Sequence, residues 1–283
     1  MTLETLWEPF TLDFMWQALV IGLLVSAAAA ALSCLLVLKG WSLMGDAVSH
    51  AVLPGIVIAH LLSIPLLIGA FISGMFCAIA TGYLSNNSRL KEDTVMGIVF
   101  SGLFALGVAL FTQIHTDLHL DHVLFGDMLG VSWRDVLLTA ALVVPALLLV
   151  VLRRKDLLVF AFDPQHAGVI GLNVTGLHYG LLAVLSLVIV ASIKAVGIIL
   201  VISILIAPGA IAYLLTNRFE NMLWWAIGIA LLATFLGVNL SYHIDSAPAP
   251  TIVVLLTIIF IVVFLFAPKQ GLFRQTRFPE QTA

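Results

Sequence analysis

Nine long apolar runs constrain this chain more than any other feature of its sequence. They are each about 20 residues long and cover residues 15–38, 46–64, 66–85, 94–114, 135–152, 175–193, 196–215, 222–241 and 249–267. An α-helix needs about 20 apolar residues to cross the roughly 30 Å hydrocarbon core of a bilayer. The runs are too long for membrane barrel strands and lack their two-residue alternation. The sequence therefore predicts an all-α fold, a polytopic transmembrane helical bundle with eight or nine crossings, in which 1–283 form a single domain.

The composition indicates that lipid covers most of the protein surface. Hydrophobic residues make up 62% of the chain and charged residues only 10%, whereas about 25% of an average soluble domain is charged. The net charge is −3 and the one basic cluster is 153–155, so we expect membrane lipid and no nucleic acid as a partner. The first residues carry Glu4, Glu8 and Asp13 but no lysine or arginine, unlike a signal peptide, and the first run is expected to be retained as a helix.

Lysine and arginine are distributed unevenly between the two sides of the predicted bundle. When the connection that holds Arg89 and Lys91 is placed in the cytoplasm, only Arg134 and Lys194 fall outside. Because cytoplasmic loops carry the excess of basic residues, we predict an outside amino terminus and an inside carboxyl terminus. The longest inner connection is then 153–173.

The most informative ionisable residues are Asp46 and His50 in the second run. Ionisable side chains at membrane depth are costly and mark functional sites. Residues four apart lie one turn above each other on the same helix face, so a carboxylate and an imidazole meet there. This oxygen and nitrogen pair is suited to Mn²⁺, Fe²⁺ or Zn²⁺. The alternative is that Asp46 caps the helix and His50 bonds to a neighbouring carbonyl.

The predicted depth of this pair is at odds with a central site. The topology puts Asp46 near the inner end of its helix, whereas transporters bind their substrates near the bilayer midplane. Either the helix begins earlier, near Leu43, or the pair acts as an inner gate.

The remaining histidines fall into two groups. An outer connection carries alternating metal-capable residues that could attract cations or could be an ordinary solvated loop: His115, Asp117, His119, Asp121 and His122. His243 and Asp245 lie on another outer connection and could join the same mouth. His60 and His178, near the ends of their helices, are interpreted as packing residues.

Two further segments have local signals. In the inner connection, Asp163-Pro164 predicts a helix start, with Asp as the N-cap and Pro at the first helical position. A helix of about two turns would follow and end near Gly171 or Asn173. In the seventh run, Gly197, Pro208 and Gly209 suggest a broken or re-entrant helix.

Common catalytic motifs are absent from the sequence. It contains no G-x-x-x-x-G-K-[ST] phosphate loop, no H-E-x-x-H pair and no G-x-S-x-G turn. Nor does it contain four Cys or His residues at structural-zinc spacing. We therefore expect no enzyme that acts on a covalent substrate and no cofactor bound by this chain.

Four ordered segments resemble the permeases of metal-ion ABC importers, which take up manganese, zinc or iron. They are SLMGDAVSHAVLPGI at 42–56, KEDTVMGIVFSGLFALG at 91–107, FDPQHAGVIGLNV at 162–174 and VGIILVISILIAPGAIA at 196–212. The resemblance extends from about residue 15 to 268. It is strongest to the manganese/iron type of Gram-negative bacteria, within the vitamin B12 and metal class of importer permeases.

The resemblance implies partners, a location and residue roles. The partners would be cytoplasmic ABC ATPase subunits, a second permease (the same or a sister chain) and an extracytoplasmic metal-binding protein. The location would be the bacterial inner membrane. Asp46 and His50 match the pathway ligands of the transported Mn²⁺, Fe²⁺ or Zn²⁺. The inner segment matches the coupling helix that docks on the ATPase, through Phe162, Asp163, Pro164, Ala167 and Gly171.

Two other functions are compatible with the residues. One is a proton-coupled secondary cation transporter in which Asp46 and His50 titrate. The other is a permease for a bulky metal chelate or a vitamin B12-like substrate, whose pathway would need no metal ligands.

Overall fold

The computed structural model describes residues 11–113 and 126–267, and within these ranges the chain is all-α, without a strand. The ten helices described are α1 Asp13–Lys39, α2 Met44–Leu61, α3 Leu66–Asn86, α4 Glu92–Gln113, α5 Trp133–Leu152, α6 Arg154–Phe162, α7 Pro164–Val169, α8 Val174–Leu215, α9 Phe219–His243 and α10 Pro248–Phe266.

The predicted crossings correspond to these helices. Eight of the described helices are long and apolar enough to cross a membrane, and they coincide with the nine apolar runs because α8 contains two of them. The two short helices, α6 and α7, occupy the predicted inner connection. The all-α transmembrane bundle predicted from the sequence is therefore confirmed.

A break at Gly197 divides α8 into two crossing-length pieces. Gly197 has φ 75° and ψ 166°, a conformation that is essentially restricted to glycine. At 1.5 Å per residue, the pieces 174–196 and 198–215 measure about 35 and 27 Å, close to the thickness of a hydrocarbon core. The expected break is thus a kink between two spans.

The backbone of the predicted outer connection before α5 packs directly on this kink. Gly126, with φ 69°, lies so close to the backbone of Val196 and Gly197 that a Cβ atom at position 126 would overlap it. Beside the kink, Lys194 donates a 2.6 Å hydrogen bond to Asp135 in the first turn of α5. The predicted outer ends of α5 and α8 are therefore joined.

The centre of the bundle is formed by α1, α2 and α8, which are mostly buried, with the other long helices around them. A run of alanines, Ala28–Ala31, is fully buried on α1 and brings its neighbours close. Near the inner end, the hydroxyl of Ser33 accepts from Gly209 N (2.9 Å) and donates to Ile206 O (3.1 Å). The Ser33 hydroxyl thus joins the backbone hydrogen bonds of α8 next to Pro208, which has no N–H group to donate.

Exposed aromatic residues mark both ends of the bundle. Trp16 and Trp133 lie at the predicted outer end, and Trp224 and Trp225 lie near the predicted inner end, all more than 40% exposed. Tryptophan is enriched at both membrane–water interfaces. The two levels are therefore consistent with a bilayer around the long helices.

Candidate functional site

The acid and the histidine of α2 meet as their spacing predicts. His50 Nε2 lies 3.3 Å from Asp46 Oδ1, and both side chains are about one-third exposed. The other ring nitrogen, His50 Nδ1, is buried and has no hydrogen-bond partner among the described residues. The side chains of α2 make no N-cap bond, since its N-cap is Leu43. Neither the capping role of Asp46 nor the carbonyl bond of His50 is present in the described part of the chain.

Two phenylalanines of α4 hold the imidazole ring. Phe100 stacks on His50 with ring centroids 6.2 Å apart, and Phe104 stands edge-on at 5.3 Å. The two helices approach closely because a glycine faces a proline: a Cβ atom at Gly107 would lie 2.8 Å from Pro54 N. The exposed part of the Asp46–His50 pair therefore lies beside apolar side chains of α4.

The pair lies opposite the middle of two neighbouring helices although Asp46 is in the first turn of α2. Ser73 Oγ donates to Ala51 O (2.6 Å), and Cys77 Sγ contacts Ala47 O (3.9 Å). Ser73 and Cys77 flank the midpoint of α3. Likewise, the two phenylalanines around His50 flank the midpoint of α4. Asp46 is thus near one end of its own helix, as expected, and α2 begins at Met44, next to the start near Leu43 that the sequence suggested.

The short connection between α1 and α2 explains why Asp46 and His50 lie opposite the middle of α3. Gly40 adopts φ 74° at the end of α1, and Trp41 N donates to Leu36 O (2.8 Å). The indole of Trp41 is buried. Because the chain turns back into the bundle at once, α2 begins opposite the middle of α3.

The inner connection folds as its turn residues predict. Asp163 caps α7 by accepting hydrogen bonds from Gln165 N (3.0 Å) and His166 N (2.9 Å), and Pro164 occupies the first helical position. The helix ends before Gly171, which has φ 85°. Ala167 is fully buried, whereas Phe162 is 67% exposed. The predicted helix start at Asp163-Pro164 is confirmed.

Two exposed apolar residues in this segment were missed by the sequence interpretation. Val169 and Ile170 are 85% and 54% exposed at the end of α7. Phe162, at the end of α6, is also exposed. A signal was present, because large apolar residues in a connection predicted to lie outside the membrane have no lipid to cover them, and exposed apolar patches mark interaction sites.

The other histidines behave differently from one another. His178 is packed edge-on against Trp41, Phe160 and Tyr179, which confirms its structural interpretation. His60 is exposed at the end of α2, so its interpretation as a packing residue is wrong. His243 has a buried Nε2 without a hydrogen-bond partner in the described ranges, and Asp245 has φ 53°.

The outer cluster of metal-capable residues lies outside the described residues: His115, Asp117, His119, Asp121 and His122. Within the described ranges, no group of three or more His, Cys, Asp or Glu residues could hold a metal ion. Cys34 and Cys77 are both free and buried. Among the described residues, Asp46 and His50 therefore have no third metal-capable side chain beside them.

Comparison with known proteins agrees with this architecture. Residues 11–267 match the model of the ABC 3 transport family. The chain belongs to this family. It is 56% identical over 259 residues to the chelated iron transport system membrane protein YfeD of Yersinia pestis, covering 92% of this chain and 87% of YfeD. It is 48% identical to the manganese transport system membrane protein MntB of Synechocystis, covering 95% and 88% of the two chains.

Solved structures of similar proteins share the fold of this ABC 3 family member. PsaBC from Streptococcus pneumoniae, solved in complex with a Fab, superposes with a TM-score of 0.86 at 35% identity and covers 98% of this chain and all of that chain. An inward-facing metal-chelate type ABC transporter gives a TM-score of 0.68 at 17% identity, over 88% of this chain and 83% of that chain, which shows the fold alone. The chain is therefore a multi-pass membrane component of an ABC transport system.

Proposed function

We propose that this chain is the permease subunit of an ATP-driven importer of a divalent transition metal ion, Mn²⁺ or Fe²⁺, with Zn²⁺ accommodated by the same ligand types. The observation that carries the proposal is the Asp46–His50 pair, which lies opposite the middle of α3 and α4. Family membership and relatives named for iron and manganese transport support it.

The geometry of the pair is suited to one ion. Two ligand atoms about 2.1 Å from the same ion, at an angle of about 90–110°, are about 3.0–3.4 Å apart. His50 Nε2 and Asp46 Oδ1 are 3.3 Å apart, so a small rotation would place both on one metal ion. Two protein ligands leave further positions for water or for a second permease, which suits a site that must also release its ion.

In this proposal ATP is hydrolysed by a separate chain. The sequence has no phosphate loop that could bind ATP. The exposed apolar residues Phe162, Val169 and Ile170 would dock on a cytoplasmic ABC ATPase. A second permease and an extracytoplasmic metal-binding protein would complete the importer in the bacterial cytoplasmic membrane. Alternating access would then carry the ion past Asp46 and His50 to the cytoplasm.

Metal uptake by cells tests the proposal. Cells that lack their own importer would express the complete system with wild-type permease, Asp46→Asn or His50→Ala, and uptake of radioactive Mn, Fe and Zn would be measured at equal membrane expression. We expect both variants to lose at least about 90% of uptake, because Asp46→Asn removes the negative charge of the carboxylate and His50→Ala removes the ring nitrogen. His60→Ala is the matched control, since His60 is exposed on the same helix, and should transport normally.

Other outcomes would replace the proposal. Normal uptake of every metal by both variants would mean that Asp46 and His50 are not pathway ligands. Uptake of a metal chelate that survives Asp46→Asn would indicate a bulky-substrate permease. Purified permease that transports metal in vesicles under a proton gradient, without an ATPase, would indicate a secondary transporter.

A further inference from the structure

A cavity of about 680 Å³ opens at the predicted cytoplasmic end of the bundle. Its walls come from the end of α1, from α6 and from the turn that joins α8 to α9. This volume lies within the range of small-molecule sites in proteins. The cavity is separate from the Asp46–His50 pair, whose residues do not line it.

One side of the cavity is apolar. Leu38 of α1, Leu158 of α6 and Met222 of α9 line it, together with the exposed ring of Phe162. These residues belong to three different elements, so the apolar wall runs between helices rather than along one face. A hydrocarbon chain could lie against this wall and remove it from water.

Four lining residues of the cavity are polar, and one of them is positively charged. They are Tyr213, Thr216, Asn217 and Arg218, and none of the described lining residues is Asp or Glu. The Arg218 side chain makes no ion pair with any described residue.

Two carboxylates close in sequence to lining residues of the cavity, Glu220 and Asp156, already form ion pairs, and Asp163 accepts the capping hydrogen bonds of α7. Glu220 pairs with Arg154 at 3.3 Å, and Asp156 pairs with Arg153 at 3.2 Å. Arg218 is thereby left as a donor for an anion from outside the chain. A guanidinium group is well suited to a phosphate because its N–H groups match the phosphate oxygens.

The cavity lies at the level where lipid headgroups would be. α8 ends at Leu215 and α9 begins at Phe219, so Arg218 stands in the turn between two long apolar helices. Trp224 and Trp225, both exposed, follow on α9, and tryptophan is typical of the interface. Basic pockets between membrane helices on the cytoplasmic side bind anionic headgroups.

We propose that this cavity binds an anionic phospholipid, with its phosphate at Arg218 and an acyl chain along the wall formed by Leu38, Leu158 and Met222. The combination of an apolar wall and a cationic rim distinguishes this occupant. A zwitterionic lipid would gain little from Arg218, and a soluble phosphate would leave the apolar wall in water. Because Leu158 belongs to α6, the bound lipid would brace the cytoplasmic segment against α1 and α9.

Native mass spectrometry of the purified, delipidated full chain tests this proposal. The chain would be titrated with phosphatidylglycerol, with phosphatidylcholine of the same acyl chains and with glycerol 3-phosphate. We expect phosphatidylglycerol to bind at least about fivefold more tightly than phosphatidylcholine, since one arginine near the surface contributes about 1 kcal/mol toward anionic lipid. Glycerol 3-phosphate should not bind at comparable concentration.

Two variants separate the polar and apolar halves of the site. Arg218→Gln should lower the affinity for phosphatidylglycerol about fivefold, whereas Arg89→Gln, which removes an exposed cytoplasmic-side arginine outside the cavity, should not change it. Leu158→Trp should fill part of the cavity and lower the same affinity while keeping the charge of Arg218. Thermal unfolding of each variant in detergent should remain close to wild type.

Three results would overturn the proposal. Equal losses in Arg218→Gln and Arg89→Gln would indicate general attraction to a charged surface. Equal binding of both lipids, or strong binding of glycerol 3-phosphate, would exclude an anionic phospholipid as the specific occupant. Unchanged phosphatidylglycerol binding in both Arg218→Gln and Leu158→Trp would show that the lipid binds elsewhere and would favour a protein partner for the cavity. None of these results depends on metal transport, so the proposal fails or holds separately from the proposed function.

Discussion

The imidazole ring of His50 stands edge-on to the ring of Phe104, with 5.3 Å between their centroids and 78° between their planes. The two residues belong to different helices, and no sequence pattern connects them. This contact, with the stacked Phe100 on the other side, fixes the direction in which His50 presents Nε2 to Asp46. The phenylalanines therefore act as positioning residues for the proposed metal site.

Phe104→Ala should weaken metal uptake by raising KM more than it lowers the maximal rate. An aromatic pair contributes about 0.5–1.5 kcal/mol beyond its buried area, so we expect KM to rise about two- to tenfold. Concentration-dependent Mn uptake in cells measures this change. Leu106→Ala, also exposed on α4, is the control and should leave KM unchanged; an equal rise in both variants would contradict the positioning role.

Asp163→Ala should impair coupling without destabilising the membrane bundle. The variant removes the two hydrogen bonds that cap α7, and loss of such a cap costs about 1 kcal/mol. Because α7 is only six residues long, that loss should unwind much of it. We expect reduced metal uptake and less ATPase co-purifying with the permease, at an unchanged thermal midpoint.

A neighbouring aspartate provides the comparison for that variant. Asp156 pairs with Arg153 on the surface of α6 and caps no helix, so Asp156→Ala should leave both uptake and co-purification near wild type. If Asp163→Ala behaves in the same way, the cap is dispensable and α7 does not act as the docking helix.

The features that the sequence predicted correctly are local ones. Apolar run length predicted the crossings, because a lipid-facing helix needs an uninterrupted apolar stretch wherever it lies. The spacing of Asp46 and His50 and the start of α7 at Asp163-Pro164 also follow from helix geometry and capping alone. The orientation of the bundle in the membrane and its treatment as one domain stay predictions.

The features that it missed depend on packing between distant segments. The position of Asp46 opposite the middle of α3 follows from the turn at Gly40 and Trp41 and from contacts between α2 and α3. Phe104 could not be singled out, because a phenylalanine in an apolar run looks like any other lipid-facing residue. Similarly, the pairing of Lys194 with Asp135, 59 residues earlier, follows from no local pattern.

Gly197→Ala should destabilise the bundle at the kink of α8. The backbone conformation at Gly197 costs a residue with a side chain about 1–3 kcal/mol. We expect a lower thermal unfolding midpoint and less folded protein extracted from membranes. Gly180→Ala on the same helix is the control, because no atom lies within 4 Å of its Cβ position, and it should match wild type. Equal midpoints for the two variants would mean that the kink relaxes without cost.

Ser33→Ala should destabilise the contact between α1 and the second half of α8. The substitution leaves the buried N–H of Gly209 and the carbonyl of Ile206 without the hydroxyl that now bonds them. An unsatisfied buried polar group costs about 1–3 kcal/mol. Thermal or denaturant unfolding in detergent measures the loss.

The control for Ser33 is a serine that is equally buried but bonds only within its own helix. Ser192 donates to Val188 O at 2.6 Å, a carbonyl one turn back that the helix backbone can satisfy by itself. Ser192→Ala should therefore cost much less than Ser33→Ala. Equal losses of stability in the two variants would show that removing any buried hydroxyl from α1 or α8 has the same effect. The hydrogen bonds of Ser33 to α8 would then have no special part in holding the two helices together.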